Sequence, residues 1–193
     1  MIDHKNKFIF IHIPKTGGSS IESIFHPSII TKTGICKDIP NKHYTLDSLL
    51  KNKEIELSKF FSFSFIRNPW DKILSHYLFF IKGGFDHRGS FFNFVKYYCD
   101  TNHKGWKNND FLPQFNYLSL DNSLAIDFIG KFENLQEDFD VVCDKIGVAR
   151  KQLPYTNKTQ HKHYTEYYDD ETREIVAQKY AKDIEYFGYE FNS

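Results

Sequence analysis

The chain has 193 residues and a mass of 22.9 kDa, and its 40% apolar content with 10 glycines is that of one globular domain, which excludes wholesale disorder. Twenty-five Lys and Arg balance 25 Asp and Glu, so no global field draws the chain to nucleic acid or to an anionic membrane. Any anion site must be local. Three cysteines, Cys36, Cys99 and Cys143, are too few for a disulfide framework and form no C-x-x-C pair, which points to a reducing compartment. The first apolar run is too short for a signal-peptide core or a bilayer span, so the expectation is a soluble, cytoplasmic protein with no transmembrane segment.

Residues 8–13, FIFIHI, form a continuous apolar run that stops at Pro14 and the Gly17-Gly18 pair, the pattern of a strand buried on both faces. Ile21, Ile24 and Phe25 then recur at helical spacing, so a helix opens near Ser19. A second strand-and-helix unit follows at 60–82. FSFSFI is strand-like, Asn68 and Pro69 supply an N-cap and a first-turn proline, and Asp71 suits the helix dipole. Ile73, Leu74, Tyr77 and Ile81 make the apolar stripe, and Gly83-Gly84 ends the helix.

The segment 85–120 is mixed, with a helix at about 90–100 and a polar loop at 102–110. A third apolar run at 125–132 predicts another strand, and Phe139, Val142, Cys143 and Ile146 predict a helix over 134–146 with Cys143 in the core. Residues 147–168 read as a long loop, and a last helix runs from Asp170 to Phe187. Strands alternating with helices imply an α/β fold with a mostly parallel central sheet between helical layers, in a single domain spanning 1–193.

Lys15, Thr16, Gly17, Gly18, Ser19 and Ser20 follow the first strand, where α/β sheets bind ligands. Glycines allow a close backbone approach, helix amides and dipole favour an anion, the serines add hydroxyls and Lys15 a full charge. The lysine precedes the glycine pair, which is not the Walker pattern G-x-x-x-x-G-K-S/T and disfavours a plain ATPase. An ordinary glycine turn with a surface lysine is the alternative. Asp127 is a weak candidate for a magnesium ligand.

The run Phe10 to Ser20, FIHIPKTGGSS, is followed by Arg67 to Tyr77, RNPWDKILSHY, with Arg67 52 residues after Lys15. This pair of motifs, in this order, resembles the nucleotide-binding motifs of sulfotransferases that use 3'-phosphoadenosine 5'-phosphosulfate. The resemblance is to the carbohydrate branch, which includes the heparan and chondroitin O-sulfotransferases. Asp127 to Asp138, DFIGKFENLQED, preceded by Pro113-Gln114, and the final Asp183 to Tyr189, DIEYFGY, extend it over most of the chain.

The resemblance implies a P-loop-like, three-layer fold. It also implies that residues 15–20 bind the 5'-phosphosulfate, that Arg67 and Ser75 bind the 3'-phosphate, and that Lys158 and Thr159 close over the nucleotide. A guanidinium fork at a strand end and a helix hydroxyl suit those roles. Lys72 stands where the family commonly has arginine, which keeps the charge and loses the fork. His43, opening HYTLDSLLK at 43–51, is similar to the catalytic histidine of the heparan 2-O-sulfotransferase group. His43 would then take the acceptor's proton, while Lys15 and the loop amides stabilise charge on the leaving oxygen.

His12 reads as a packed core histidine, His76 as a packing residue, and His161 and His163 as a solvated pair without metal-ligand partners. Sulfuryl transfer does not obviously require a metal, and none is expected. Trp106, Lys104 and Lys107 are loop residues that could line an acceptor groove, although a solvated loop reads better. The variable stretches 30–45 and 83–112 are where an acceptor surface belongs, and the partner expected is a carbohydrate acceptor, not nucleic acid. A small-molecule or sugar kinase and a non-catalytic nucleotide-binding relative are the rival readings.

Overall fold

In the computed structural model the described residues are 1–25, 43–53, 55–84, 89–99, 109–154 and 161–192. Four strands form one sheet: β1 (Ile2–Asp3), β2 (Phe8–Ile11), β3 (Phe61–Ile66) and, further along the chain, β6 (Phe128–Lys131). Its order is β1-β2-β3-β6, with β2, β3 and β6 parallel and β1 antiparallel at the edge. The mixed α/β class and the mostly parallel sheet therefore agree with the sequence.

The register explains the core. Phe8 pairs with Phe61 and Phe10 with Phe63, so phenylalanines from β2 and β3 share one face of the sheet. Helix α1 (Gly18–Phe25) and helix α6 (Leu135–Ile146) cover that face with Ile21, Phe139, Val142 and Cys143. Phe8, Ile9, Phe10 and Ile11 are all buried, the continuous run that both-face burial demands. Cys143 is a core residue, as its helix spacing predicted.

The chain divides into two compact units. The first comprises Met1–Ile66 and Asn116–Lys158 and holds the sheet; the second comprises Arg67–Phe115 and Thr159–Ser193. To the first also belong α2 (Leu46–Lys53), which buries Leu46 and Leu49, and a small hairpin of β4 (Ser119–Leu120) and β5 (Ser123–Leu124). Thr45 starts α2, its Oγ1 accepting from the Ser48 N–H at 3.2 Å. The hairpin turns through Asp121 and Asn122, both left-handed at φ 49° and 60°, which these two short polar side chains tolerate.

The second unit is helical, built from α3 (Pro69–Lys82), α4 (Phe91–Cys99), α7 (Asp170–Lys179) and α8 (Ala181–Phe187). The short α5 (Gln114–Leu118) carries the chain from this unit into the first. Trp70, Ile73, Leu74, Phe80, Phe94 and Tyr98 lead its aromatic core. Asn68 caps α3 as expected, its side chain accepting from the Trp70 N–H at 3.1 Å. Ile81, assigned to the apolar stripe, is instead exposed.

Three boundaries differ from the sequence reading. The first strand ends at Ile11, two residues early, because the chain turns there into the loop that precedes α1. The third begins at Phe128, not at 125, and Asp127 before it bonds through its side chain to the start of β3: its Oδ2 accepts from the Ser62 N–H and hydroxyl, both at 2.7 Å. The last helix is two helices, broken at Tyr180 with φ −105° and ψ 25°. That fully buried ring is anchored by its hydroxyl, which donates to the Phe111 carbonyl at 3.0 Å, and the backbone bends to keep it there.

Candidate active site

In the first unit the loop between β2 and α1 carries the predicted anion-binding residues. Lys15 is held at φ 67°, a left-handed conformation uncommon for a side chain with a Cβ, and Gly17 at φ 82°. Such strain persists only where surrounding structure enforces it, and it gathers at functional sites. Thr16 is buried and its hydroxyl donates to the Ile13 carbonyl at 2.9 Å; the Ser20 N–H donates to the Gly17 carbonyl at 3.0 Å. Lys15, Gly17 and Ser19 are half-buried at the opening of α1, where the first helix amides lack helical partners and the dipole is positive.

The two glycines serve packing as well as approach. A Cβ on Gly18 would lie 2.3 Å from the His12 ring, and one on Gly17 would lie 2.7 Å from Leu135. Only a residue without a side chain lets α1 start this close to β2 and α6.

His12 is buried, as predicted, and it is also tied into this loop. Its Nδ1 lies 2.8 Å from Glu22 Oε1 on α1, and both side chains are nearly inaccessible to solvent. The His43 ring meets the His12 ring edge to face, with centroids 5.0 Å apart. The structure thus brings His43 to the phosphate-loop candidates through one intervening ring. Glu22 was missed in the sequence, although a carboxylate adjoining Ile21 on a helix that packs against the sheet is a readable signal.

In the second unit Arg67 follows directly on the last residue of β3. It is 8% exposed, and its Nε and Nη2 lie 2.8 and 2.7 Å from Asp71 Oδ2. Asp71 therefore holds one side of the guanidinium in addition to complementing the helix dipole. Arg67, Asp71 and half-buried Ser75 are spaced by four residues and share one face of α3 and its lead-in turn.

Gln114 and Asp183 are two more buried polar residues that the sequence did not single out for a role. The Gln114 amide pairs with the main chain of Arg67, and Asp183 pairs with Gln114. Asp183 sits three residues after Tyr180 on an apolar stripe, an acidic residue out of pattern. Burial raises its carboxyl above the usual range, against the opposing effect of the N–H groups of Phe115 and Gln114.

Lys72 is buried within the second unit. It is fully inaccessible, its Nζ donates to the Leu112 carbonyl at 3.4 Å and sits 5.1 Å from the Tyr180 ring centroid. Burial lowers its pKa to about 8, with Asp183 opposing. It belongs to the core of the second unit. Burial likewise pushes the Cys99 thiol up to about 12, far from nucleophilic.

Asp127, the weak magnesium candidate, is committed to Ser62. His76 packs at 4.7 Å against Phe111, and His161 and His163 are exposed, as read from sequence. Lys158, Thr159, Lys104, Trp106, Lys107 and Cys36 lie outside the described residues, as do most of 30–45 and all of 100–108. Among the described residues no group of three metal-ligating side chains converges, and no helix is long and apolar enough to cross a membrane.

Residues 1–190 of the chain match the sulfotransferase family. The chain belongs to that family of transferase enzymes. Human carbohydrate sulfotransferase 9 is 25% identical over 224 aligned positions, covering 95% of this chain and 47% of the human protein. The chain thus spans about half the length of that relative. An uncharacterised protein of Archaeoglobus fulgidus is 34% identical over 90 residues, 46% of this chain and 69% of the archaeal one. No solved structure matches.

Proposed function

We propose that this sulfotransferase moves the sulfuryl group of 3'-phosphoadenosine 5'-phosphosulfate to a hydroxyl of a carbohydrate, on a P-loop-like, three-layer scaffold. The observation that carries the reading is the loop of 15–20, which joins a left-handed lysine and a helix amino terminus to His43 through the His12 ring. The similarity to a protein named carbohydrate sulfotransferase 9 supports the acceptor class. Free, buried Cys99 and Cys143 suit a reducing compartment such as the cytoplasm.

In this reading the donor's 5' end is held by Lys15, Thr16, Gly17, Gly18, Ser19 and Ser20, and its 3'-phosphate by Arg67 and Ser75. The donor set is chemically apt, since cationic, hydroxyl and helix-amide groups all favour an anion. Lys158 and Thr159 would close over the nucleotide. His43 accepts the proton of the attacking hydroxyl, the general-base task that histidine performs most often among side chains. Lys15 and the loop amides stabilise the negative charge that grows on the leaving phosphate oxygen. No resident metal is assigned a role.

The test separates binding from chemistry. His43→Ala should bind 3',5'-ADP as the unaltered chain does and lose about 10² to 10⁴ in turnover on a carbohydrate acceptor. Arg67→Ala should lose nucleotide affinity first. Full sulfation by His43→Ala would remove the base assignment. A thermal-shift assay checks the nucleotide: 3',5'-ADP at about 100 times its dissociation constant should add roughly 2.7 kcal/mol without magnesium. Stabilisation by MgATP alone would indicate a kinase instead.

A further inference from the structure

Arg67 follows the last residue of β3, and a side chain pairs with its main chain. Gln114 Oε1 accepts from the Arg67 N–H at 2.9 Å, and Gln114 Nε2 donates to the Arg67 carbonyl at 2.8 Å. One amide thus satisfies both polar groups of the residue, as a paired strand would. Asp183 on α8 holds Gln114 in turn: its Oδ2 accepts from the Gln114 N–H at 2.8 Å and from Nε2 at 3.3 Å, while its Oδ1 accepts from the Phe115 N–H at 2.8 Å.

The orientation of the amide follows from this chemistry. Nε2 faces a carboxylate and a carbonyl, both acceptors, and Oε1 faces an N–H; a flipped amide would oppose every one of these groups. Gln114 and Asp183 are fully buried, so each lost bond leaves an unsatisfied polar group in the interior. With Asp71 on the guanidinium and Gln114 on the main chain, Arg67 is held at both ends.

We propose that Gln114, oriented by Asp183, is a positioning residue that aims Arg67 at the 3'-phosphate of the nucleotide and so sets the preference for a nucleotide that carries one. The inference rests on the reading of Arg67 given above. A residue 47 positions away in sequence then governs nucleotide choice without touching the nucleotide.

The experiment is calorimetric titration of the full chain with 3',5'-ADP and with adenosine 5'-phosphate, which lacks the 3'-phosphate. The unaltered chain should prefer 3',5'-ADP. Gln114→Met, of similar volume, should weaken 3',5'-ADP by about tenfold and leave adenosine 5'-phosphate within about twofold. Combined with Arg67→Ala it should add no further loss of 3',5'-ADP affinity, since both changes remove the same contact. Asp183→Asn should give the same selective loss, to a smaller degree, and serves if Gln114→Met does not fold.

Equal weakening of both nucleotides, or a smaller competent fraction with unchanged dissociation constants, would reduce Gln114 to a structural residue and overturn the proposal. If Arg67→Ala keeps the preference for 3',5'-ADP, the Arg67 reading itself fails and the proposal falls with it. If Arg67→Ala loses that preference while the Gln114 and Asp183 variants keep it, only the positioning role is lost.

Discussion

Gly18 concentrates the packing demands of the candidate site in one missing methyl group. Its Cα lies against the edge of a histidine ring that is itself buried and bonded to Glu22, so the ring cannot swing aside. Gly18→Ala should therefore destabilise the chain by about 1 to 3 kcal/mol, the usual cost of overpacking. Because His12 also touches His43, turnover should fall further than the lost stability accounts for. Melting temperature and turnover on one preparation check this, and an unchanged melting temperature would show that the ring yields. Asp127 makes the opposite point: an acidic residue near a strand end reads as a metal ligand in sequence, yet here it satisfies Ser62.

At the scale of the element, local signals served well where they were dense. Asn68-Pro69 starts α3 and Gly83 ends it, because capping chemistry involves residues two to four apart. The start of α7 carries a full capping box, with Asp169 accepting from the Thr172 N–H at 2.8 Å and the Thr172 hydroxyl reaching back toward Asp169. Asp169→Ala should cost about 0.5 to 2 kcal/mol in urea unfolding and leave 3',5'-ADP affinity unchanged; a loss below that range would mean that packing alone sets the helix start. Where signals are sparse the elements are invisible in sequence: β4 and β5 are two residues each, too short for any periodicity. The break at Tyr180 was equally invisible, since the stripe continues smoothly through it and only the Phe111 carbonyl fixes the ring.

Across the second unit, the buried Lys72 amine gives the molecule a pH signature. Burial lowers its pKa from 10.5 to about 8, so between those values the unfolded chain carries a proton that the folded chain lacks. Stability contributed at this position therefore rises with pH across that window, by on the order of 3 kcal/mol in all. The difference in unfolding free energy between the wild type and Lys72→Met, measured at about pH 7.5, 9 and 10.5, should shift in favour of the wild type. A difference independent of pH would show that the amine stays charged inside the unit, held by Asp183 and the Leu112 carbonyl.

The amino-acid sequence alone determined what depends on neighbours along the chain: the buried run of β2, the phosphate-loop candidate at 15–20, the caps of α3, the core face of α6 and the paired motifs of the sulfotransferase family. Each is written in consecutive or helically spaced residues, so propensity and periodicity suffice to read it. Only the tertiary structure decided which polar side chains meet. Glu22 finds His12 ten residues away, Asp183 finds Gln114 at a separation of 69, and Lys72 is taken out of solvent altogether. Such partners are chosen by the need to satisfy every polar group once the core excludes water, and that need has no period in sequence.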